Sequence, residues 1–114
     1  MSTARDGTGH FLGQRVSAVV LALLGVWFVV VMATLPEFSY TTVIAFIGKP
    51  LNTVLLLVLS VTIAYHSYLG VQVVIDDYVH ATGLRLASLY VSQTAHAVLA
   101  VAAVYSLLKI GLRP

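Results

Sequence analysis

His66 lies within an apolar stretch, Leu51 to Ile75, that is long enough to cross a bilayer and holds no carboxylate, lysine or arginine. An imidazole at hydrocarbon depth costs free energy unless something binds it, so an intramembrane histidine marks a functional site by default. From there the chain reads His66-Ser67-Tyr68-Leu69-Gly70, continues through Val71 to Ile75, and ends in Asp76-Asp77-Tyr78-Val79-His80. A buried imidazole, a glycine gap and an acidic-aromatic cluster at the membrane surface follow in that order. Metal ligation at depth and redox or proton chemistry at the rim would both be served by it.

Each of these residues also has a plainer reading. His66 either hydrogen-bonds a neighbouring helix or ligates a haem iron. Thr62, Ser67 and Gly70, its small neighbours at i−4, i+1 and i+4, leave room for a flat macrocycle, and close helix packing explains them equally well. His96 complicates the count. Measured from the turn between their helices, His66 and His96 both sit roughly 14–17 Å deep at 1.5 Å per residue. An intrachain bis-histidine haem is therefore one reading, with Ser92, Gln93 and Ala100 giving His96 a small, polar face. The other is a hydrogen bond from His96 to Gln93 or to a partner helix. At the rim, carboxylates at a helix C-terminus oppose the macrodipole by roughly 0.3 kcal/mol or more each. Arg85, His80 or water can offset Asp76 and Asp77. Alternatively, the cluster delivers protons to a membrane-soluble redox carrier, with Tyr78 as hydrogen-bond donor. His10, Gln14 and Arg15 form either a solvated, positively charged flank or a group that reaches anionic parts of a cofactor.

The elements that position these side chains follow from composition. With 60% hydrophobic and 9% charged residues and a mean hydropathy of +0.99, the chain has too few polar side chains to coat a soluble globule, where about a quarter are charged. It is predicted to be an all-α membrane protein of one domain, residues 1–114, since three helices of roughly 20–25 residues use most of that length. The crossings are expected at about 16–35, 51–75 and 84–108. The first has no charge inside it, follows Arg15 and ends at Pro36-Glu37; at about 20 apolar residues it is too long for a signal-peptide core of 7–15. Between the first two, Ser39 can cap a short interfacial helix through Ile47, Gly48 can end it, and Pro50 suits the first turn of the next helix. Thr82-Gly83 breaks the second crossing from the third, with Thr82 as N-cap.

Arg5, Arg15 and Arg85 fall on one side of such a membrane and Lys49, Lys109 and Arg113 on the other, so charge alone does not orient the chain. The net charge of +2 has no basic run behind it, which argues against nucleic-acid binding and against a polybasic lipid switch. With no cysteine, disulfides, iron–sulfur ligation and thiolate-bound haem are excluded from within the chain. Any iron here needs histidine.

The run from His66 to His80, together with Gly7-Thr8-Gly9-His10 and Gln14-Arg15-Val16-Ser17, resembles the smaller hydrophobic membrane-anchor subunits of succinate dehydrogenase, respiratory complex II, in their alphaproteobacterial and mitochondrial-like form. The likeness covers nearly the whole chain. Its core, H-x-x-[LI]-G-x-x-x-x-x-x-D-Y, sets a ligand, a gap and a rim pair at fixed distances. One departure is that the aromatic residues often following the His10-type histidine are reduced here to Phe11-Leu12.

The resemblance implies a non-catalytic anchor of three transmembrane helices, half of a heterodimeric bundle. It would pair with a second anchor (cytochrome b) subunit, share a b-type haem with it, and dock the flavoprotein and iron–sulfur subunits. On that basis His66 is one axial haem ligand and the partner anchor supplies the other. Gly70, Arg15 and His10 belong to the haem surroundings, and Asp77 and Tyr78 to the ubiquinone site, the tyrosine hydroxyl bonding a quinone carbonyl. Flavin and iron–sulfur clusters would reside in other chains. The N-terminus and the Asp77-Tyr78 turn would face the cytoplasm across a bacterial inner membrane, or the matrix across a mitochondrial one, in service of electron transport and the tricarboxylic acid cycle. Two rival readings remain: a self-contained b-type cytochrome ligated by His66 and His96, and a haem-free scaffold or transporter component in which both histidines only pack.

Overall fold

A computed structural model describes residues 3–113, with side chains described from residue 7 onward. Among these residues there are four helices and no strand: α1 (Thr3–Ala33), α2 (Tyr40–Ile47), α3 (Pro50–Tyr78) and α4 (Thr82–Gly111). Three stretches, Gly7–Ala33, Pro50–Tyr78 and Thr82–Gly111, are long and apolar enough to cross a membrane. In hydrocarbon every backbone N–H and C=O must be satisfied within the protein, and a helix does this inside one segment. The chain is therefore an all-α, multi-pass membrane protein.

The helix ends show where sequence signals act. At α2, the Ser39 Oγ accepts from the Thr42 backbone N–H at 3.3 Å and donates to Glu37 Oε1 at 3.0 Å. Gly48 follows α2 at a φ of −72°, so it ends the helix without using a glycine's left-handed freedom. Lys49 is extended and Pro50 opens α3, because the proline ring disfavours helical geometry in the residue before it. Asn52 then donates to the Phe46 carbonyl at 2.9 Å and the Thr53 hydroxyl to the Ile47 carbonyl at 2.5 Å, fixing the α2–α3 corner.

Two expected boundaries differ. The helix that carries the first crossing extends well ahead of Val16 and is already formed at Thr3: hydropathy marks where the membrane starts, and no proline stops the helix from continuing into water. The N-cap of α4 is Ala81, with Thr82 inside the first turn and no side-chain cap, so Thr82 does not fill the capping role.

The arrangement is a row rather than a closed bundle. Among the described residues the middle helix, α3, packs on both α1 and α4, while the backbones of α1 and α4 do not approach one another closely. Burial follows that order. Thr53, Leu56, Leu59, Leu69 and Ile75 are buried on α3, whereas no residue of α4 is. Many of the other large apolar side chains face outward, among them Leu23, Val91 and Val101, as suits a chain whose solvent is lipid and neighbouring helices. At one end of the α3–α4 seam Gly111 is a required glycine, because a Cβ there would overlap the short Thr53 side chain. At that same end of the row Trp27 of α1 stacks on Phe46 of α2, ring centroids 6.1 Å apart.

Candidate functional site

Antiparallel packing of α1 on α3 places Ser17 opposite His66. Their contact, Ser17 Oγ to His66 Nδ1 at 2.8 Å, joins two helices across the membrane interior. Ser17 is 4% exposed, and its Oγ also lies 3.1 Å from the Gln14 carbonyl, to which it donates. His66 is half-buried, and its Nε2 has no protein partner among the described residues. One turn further along α3, Gly70 has nothing within 4 Å of where a Cβ would sit. Packing inside this chain does not account for that glycine. It leaves clearance beside the imidazole for something outside the chain.

Toward the membrane surface the same seam continues through Gly13, where Tyr65 packs its hydroxyl and Leu69 its side chain. A groove of about 440 Å³ opens beside it, lined by Leu12, Gly13, Val16, Ser17, Thr62 and Tyr65 among others. At 3.6 residues per turn, His10 and Gln14 share the α1 face of Ser17 and lie closer to the surface. His10 is half-buried. Arg15 is not brought to this group: two residues from Ser17 it projects from the other side of α1, its guanidinium 5.1 Å from the Phe11 ring centroid.

His96 sits on a different seam. Its Nδ1 contacts the Ser92 carbonyl at 2.7 Å, one turn back on α4, and its Nε2 contacts Ser67 Oγ of α3 at 2.9 Å. Tyr68 presents an edge-on ring with centroids 5.9 Å apart. Both nitrogens are thus engaged, with Nδ1–H donating to the carbonyl and the serine hydroxyl donating to Nε2. Of the two partners weighed for His96, Gln93 takes no part in these bonds and a neighbouring helix does, through Ser67. The matched depths of His66 and His96 do not bring them together, because consecutive residues of a helix diverge by about 100°. His66 faces α1, while Ser67 draws His96 to the α4 side.

At the rim, Tyr78 is the last residue of α3. Arg85 of α4 holds Asp76 through two contacts to one oxygen, Nη2 at 2.7 Å and Nε at 3.0 Å, bringing a cation to the helix end where the macrodipole favours one. Asp77, Tyr78 and His80 are exposed and make no hydrogen bond to other described residues, Tyr78 being 78% exposed. The carboxylate pair is therefore divided. Asp76 ties α3 to α4, and Asp77 stays open beside the phenol.

Ser17 is the contact that residue-by-residue reading passed over. The signal was present, since Ser17 and the Trp27 indole are the only polar side chains between Val16 and Ala33. Among the described residues no cluster of three or more His, Asp or Glu side chains could hold an ion alone. Among the described residues, His66 Nε2 is the histidine nitrogen in the apolar interior that has no hydrogen-bond partner.

Comparison with known proteins agrees with this architecture. The family model for the succinate dehydrogenase/fumarate reductase transmembrane subunit matches residues 1–108. Among similar proteins, the succinate dehydrogenase hydrophobic membrane anchor subunit of Rickettsia typhi is 39% identical over 84 residues, 74% of this chain and 67% of that protein. The subunit of the same name from Paracoccus denitrificans is 30% identical over 112 residues, 98% of this chain and 86% of its own length. The succinate dehydrogenase membrane anchor subunit of Reclinomonas americana is 28% identical over 89 residues, covering 75% of this chain and 74% of the relative. With three apolar helices and a family match over nearly its whole length, this chain belongs to the succinate dehydrogenase/fumarate reductase transmembrane subunit family, among its membrane anchors.

Proposed function

We propose that the chain is the smaller anchor of a succinate:ubiquinone oxidoreductase, in which His66 would help hold a b-type haem and Tyr78 and Asp77 would form part of the ubiquinone site. A second anchor subunit would supply the other ligand and the facing half of the pocket. The iron–sulfur and flavoprotein subunits would dock at the end carrying Asp77 and Tyr78. That end is assigned to the cytoplasmic side of a bacterial inner membrane, or to the matrix side of its mitochondrial counterpart.

The observation that carries the reading is the difference between the two intramembrane histidines. His96 has both nitrogens engaged within the chain, whereas His66 keeps Nε2 without a partner beside the open Gly70 surface. Held by His66 and a histidine of the second anchor, such a haem would supply electron exchange or storage rather than binding of an exchangeable ligand. The role of His66 is to hold its nitrogen in place, and that of Gly70 is to keep clear the space beside it. At the rim, Tyr78 donates its hydroxyl to a ubiquinone carbonyl. Asp77, not bound by Arg85, passes protons from water to the reduced quinone. Succinate oxidation belongs to the other subunits, and this chain by itself catalyses nothing.

The test is the haem content of the assembled complex, measured by pyridine haemochrome, with His66→Ala against the unsubstituted chain. Loss or weakening of haem with all subunits still assembled supports the ligand role. Full occupancy with an unchanged low-spin bis-histidine spectrum would exclude it.

A further inference from the structure

Ser17 places a hydroxyl where α1 otherwise carries apolar side chains, and it is almost wholly buried. A hydroxyl in that position costs free energy unless it is hydrogen-bonded. Its bond to the Gln14 carbonyl at 3.1 Å would suffice for that, as serine hydroxyls in helices commonly bond back to the preceding turn. The 2.8 Å contact with His66 Nδ1 is shorter and reaches another helix. Helix-internal satisfaction alone leaves it unexplained.

Counting protons assigns the contact a direction. A serine hydroxyl has one hydrogen to donate and lone pairs with which to accept, while a neutral imidazole has one donor nitrogen and one acceptor nitrogen. If Ser17 donates to the Gln14 carbonyl, then His66 Nδ1–H donates to Ser17 Oγ, and both contacts are made at once. Were Ser17 to donate to Nδ1 instead, the Gln14 contact would be lost and an Nε2–H would be left without an acceptor in an apolar setting. The first arrangement forms two hydrogen bonds and the second forms one. It is also the tautomer a metal requires, with the proton on one nitrogen and the lone pair on the other.

We infer that Ser17 is the positioning residue for His66: by accepting the Nδ1 proton it fixes the imidazole tautomer and ring orientation, leaving Nε2 as the lone-pair nitrogen for iron. This rests on the ligand role proposed for His66. Ser17 touches neither iron nor quinone in this scheme and acts through the imidazole alone. Because Ser17 comes from α1 and His66 from α3, the packing of those two helices becomes part of the metal site.

The experiment compares Ser17→Ala, Ser17→Thr and Ser17→Val in the assembled four-subunit complex, reading haem retention and the haem midpoint potential. Loss of an outer partner of a metal-bound histidine costs roughly 10- to 100-fold in metal affinity or activity. Ser17→Ala is therefore expected to weaken haem retention by about 10-fold or more. It should also raise the potential, since an imidazole without an acceptor for Nδ1–H is a poorer donor to ferric iron. Threonine and valine have nearly the same shape and differ in the hydroxyl. Ser17→Thr is expected to match the unsubstituted chain in both readouts, and Ser17→Val to match Ser17→Ala. This pair carries the comparison if the alanine variant does not assemble.

Equal behaviour of the Thr and Val variants, or an Ala variant unchanged in both retention and potential, overturns the inference. His66→Ala measured alongside separates the two levels. If it loses haem while the Ser17 variants are unaffected, the positioning role fails alone. If it keeps haem, the ligand reading fails and this inference with it.

Discussion

Along the α1–α3 seam His66 bonds Ser17 through Nδ1 and its Nε2 has no partner among the described residues, whereas along the α3–α4 seam His96 engages both nitrogens, one on Ser92 and one on Ser67. Two histidines at similar depth on adjacent helices are thus in different chemical situations. An intramembrane histidine is a functional candidate because it is costly to bury, and that cost is met for His96 by partners within the chain. The nitrogen of His66 that has no partner among the described residues is the one the proposed ligand role uses. Both seams close on a glycine, Gly13 against Tyr65 on α1–α3 and Gly111 against Thr53 on α3–α4, while Gly70, one turn from His66, faces open space.

The largest expected effect comes from breaking the open seam. His66→Ala should reduce haem retention by more than the roughly 10- to 100-fold that loss of an outer partner costs, while leaving the crossing intact. Haem per assembled complex and the helical circular dichroism signal check both halves of that statement. The closed seam should answer in stability rather than in cofactor content. Gly111→Val must displace the short Thr53 side chain or separate the helix ends, which by analogy with overpacked cores costs about 1–3 kcal/mol. A lower unfolding midpoint in detergent with haem spectra unchanged is the expected outcome. An unchanged midpoint would mean that the α3–α4 end is not tightly closed.

Tyr78→Phe sharpens the comparison at the rim. A hydrogen bond of this kind contributes about 0.5–1.5 kcal/mol, so quinone-coupled efficiency should fall roughly 2- to 13-fold. Succinate oxidation with a soluble artificial acceptor should barely change. Equal loss of both activities would indicate defective assembly, and no loss in either would leave Tyr78 as an interfacial anchor. The smallest effect belongs to His96→Leu. An interhelical hydrogen bond in a membrane is worth about 0.6 kcal/mol on average, so haem should stay six-coordinate and most quinone reductase activity should survive. A five-coordinate spectrum in this variant would erase the distinction between the seams.

Much of the scaffold was legible from single residues. The apolar runs around Val20, Leu57 and Val98 required helices because hydrocarbon permits no unpaired backbone. Ser39, Gly48 and Pro50 marked the ends of α2 and the start of α3 because capping and proline geometry act over a few residues. His66, Gly70, Asp77 and Tyr78 stood out as candidates by type and spacing. The extension of α1 ahead of the crossing was not legible, since hydropathy reports the membrane and not the helix.

Which histidine is free, and which carboxylate, depended on contacts between helices. Ser17 and His66 are 49 positions apart and meet through the register of α1 on α3, Ser67 meets His96 through the packing of α3 on α4, and Arg85 takes Asp76 rather than Asp77 across a turn. Periodicity places a side chain on a face of its own helix but carries no information about which face of a neighbour will meet it. Sequence alone therefore determined that the chain crosses the membrane with histidines at depth and an acidic-aromatic rim. Tertiary packing decided which nitrogen and which oxygen are left to bind something else, because a hydrogen bond is directional and its partner must arrive from another helix.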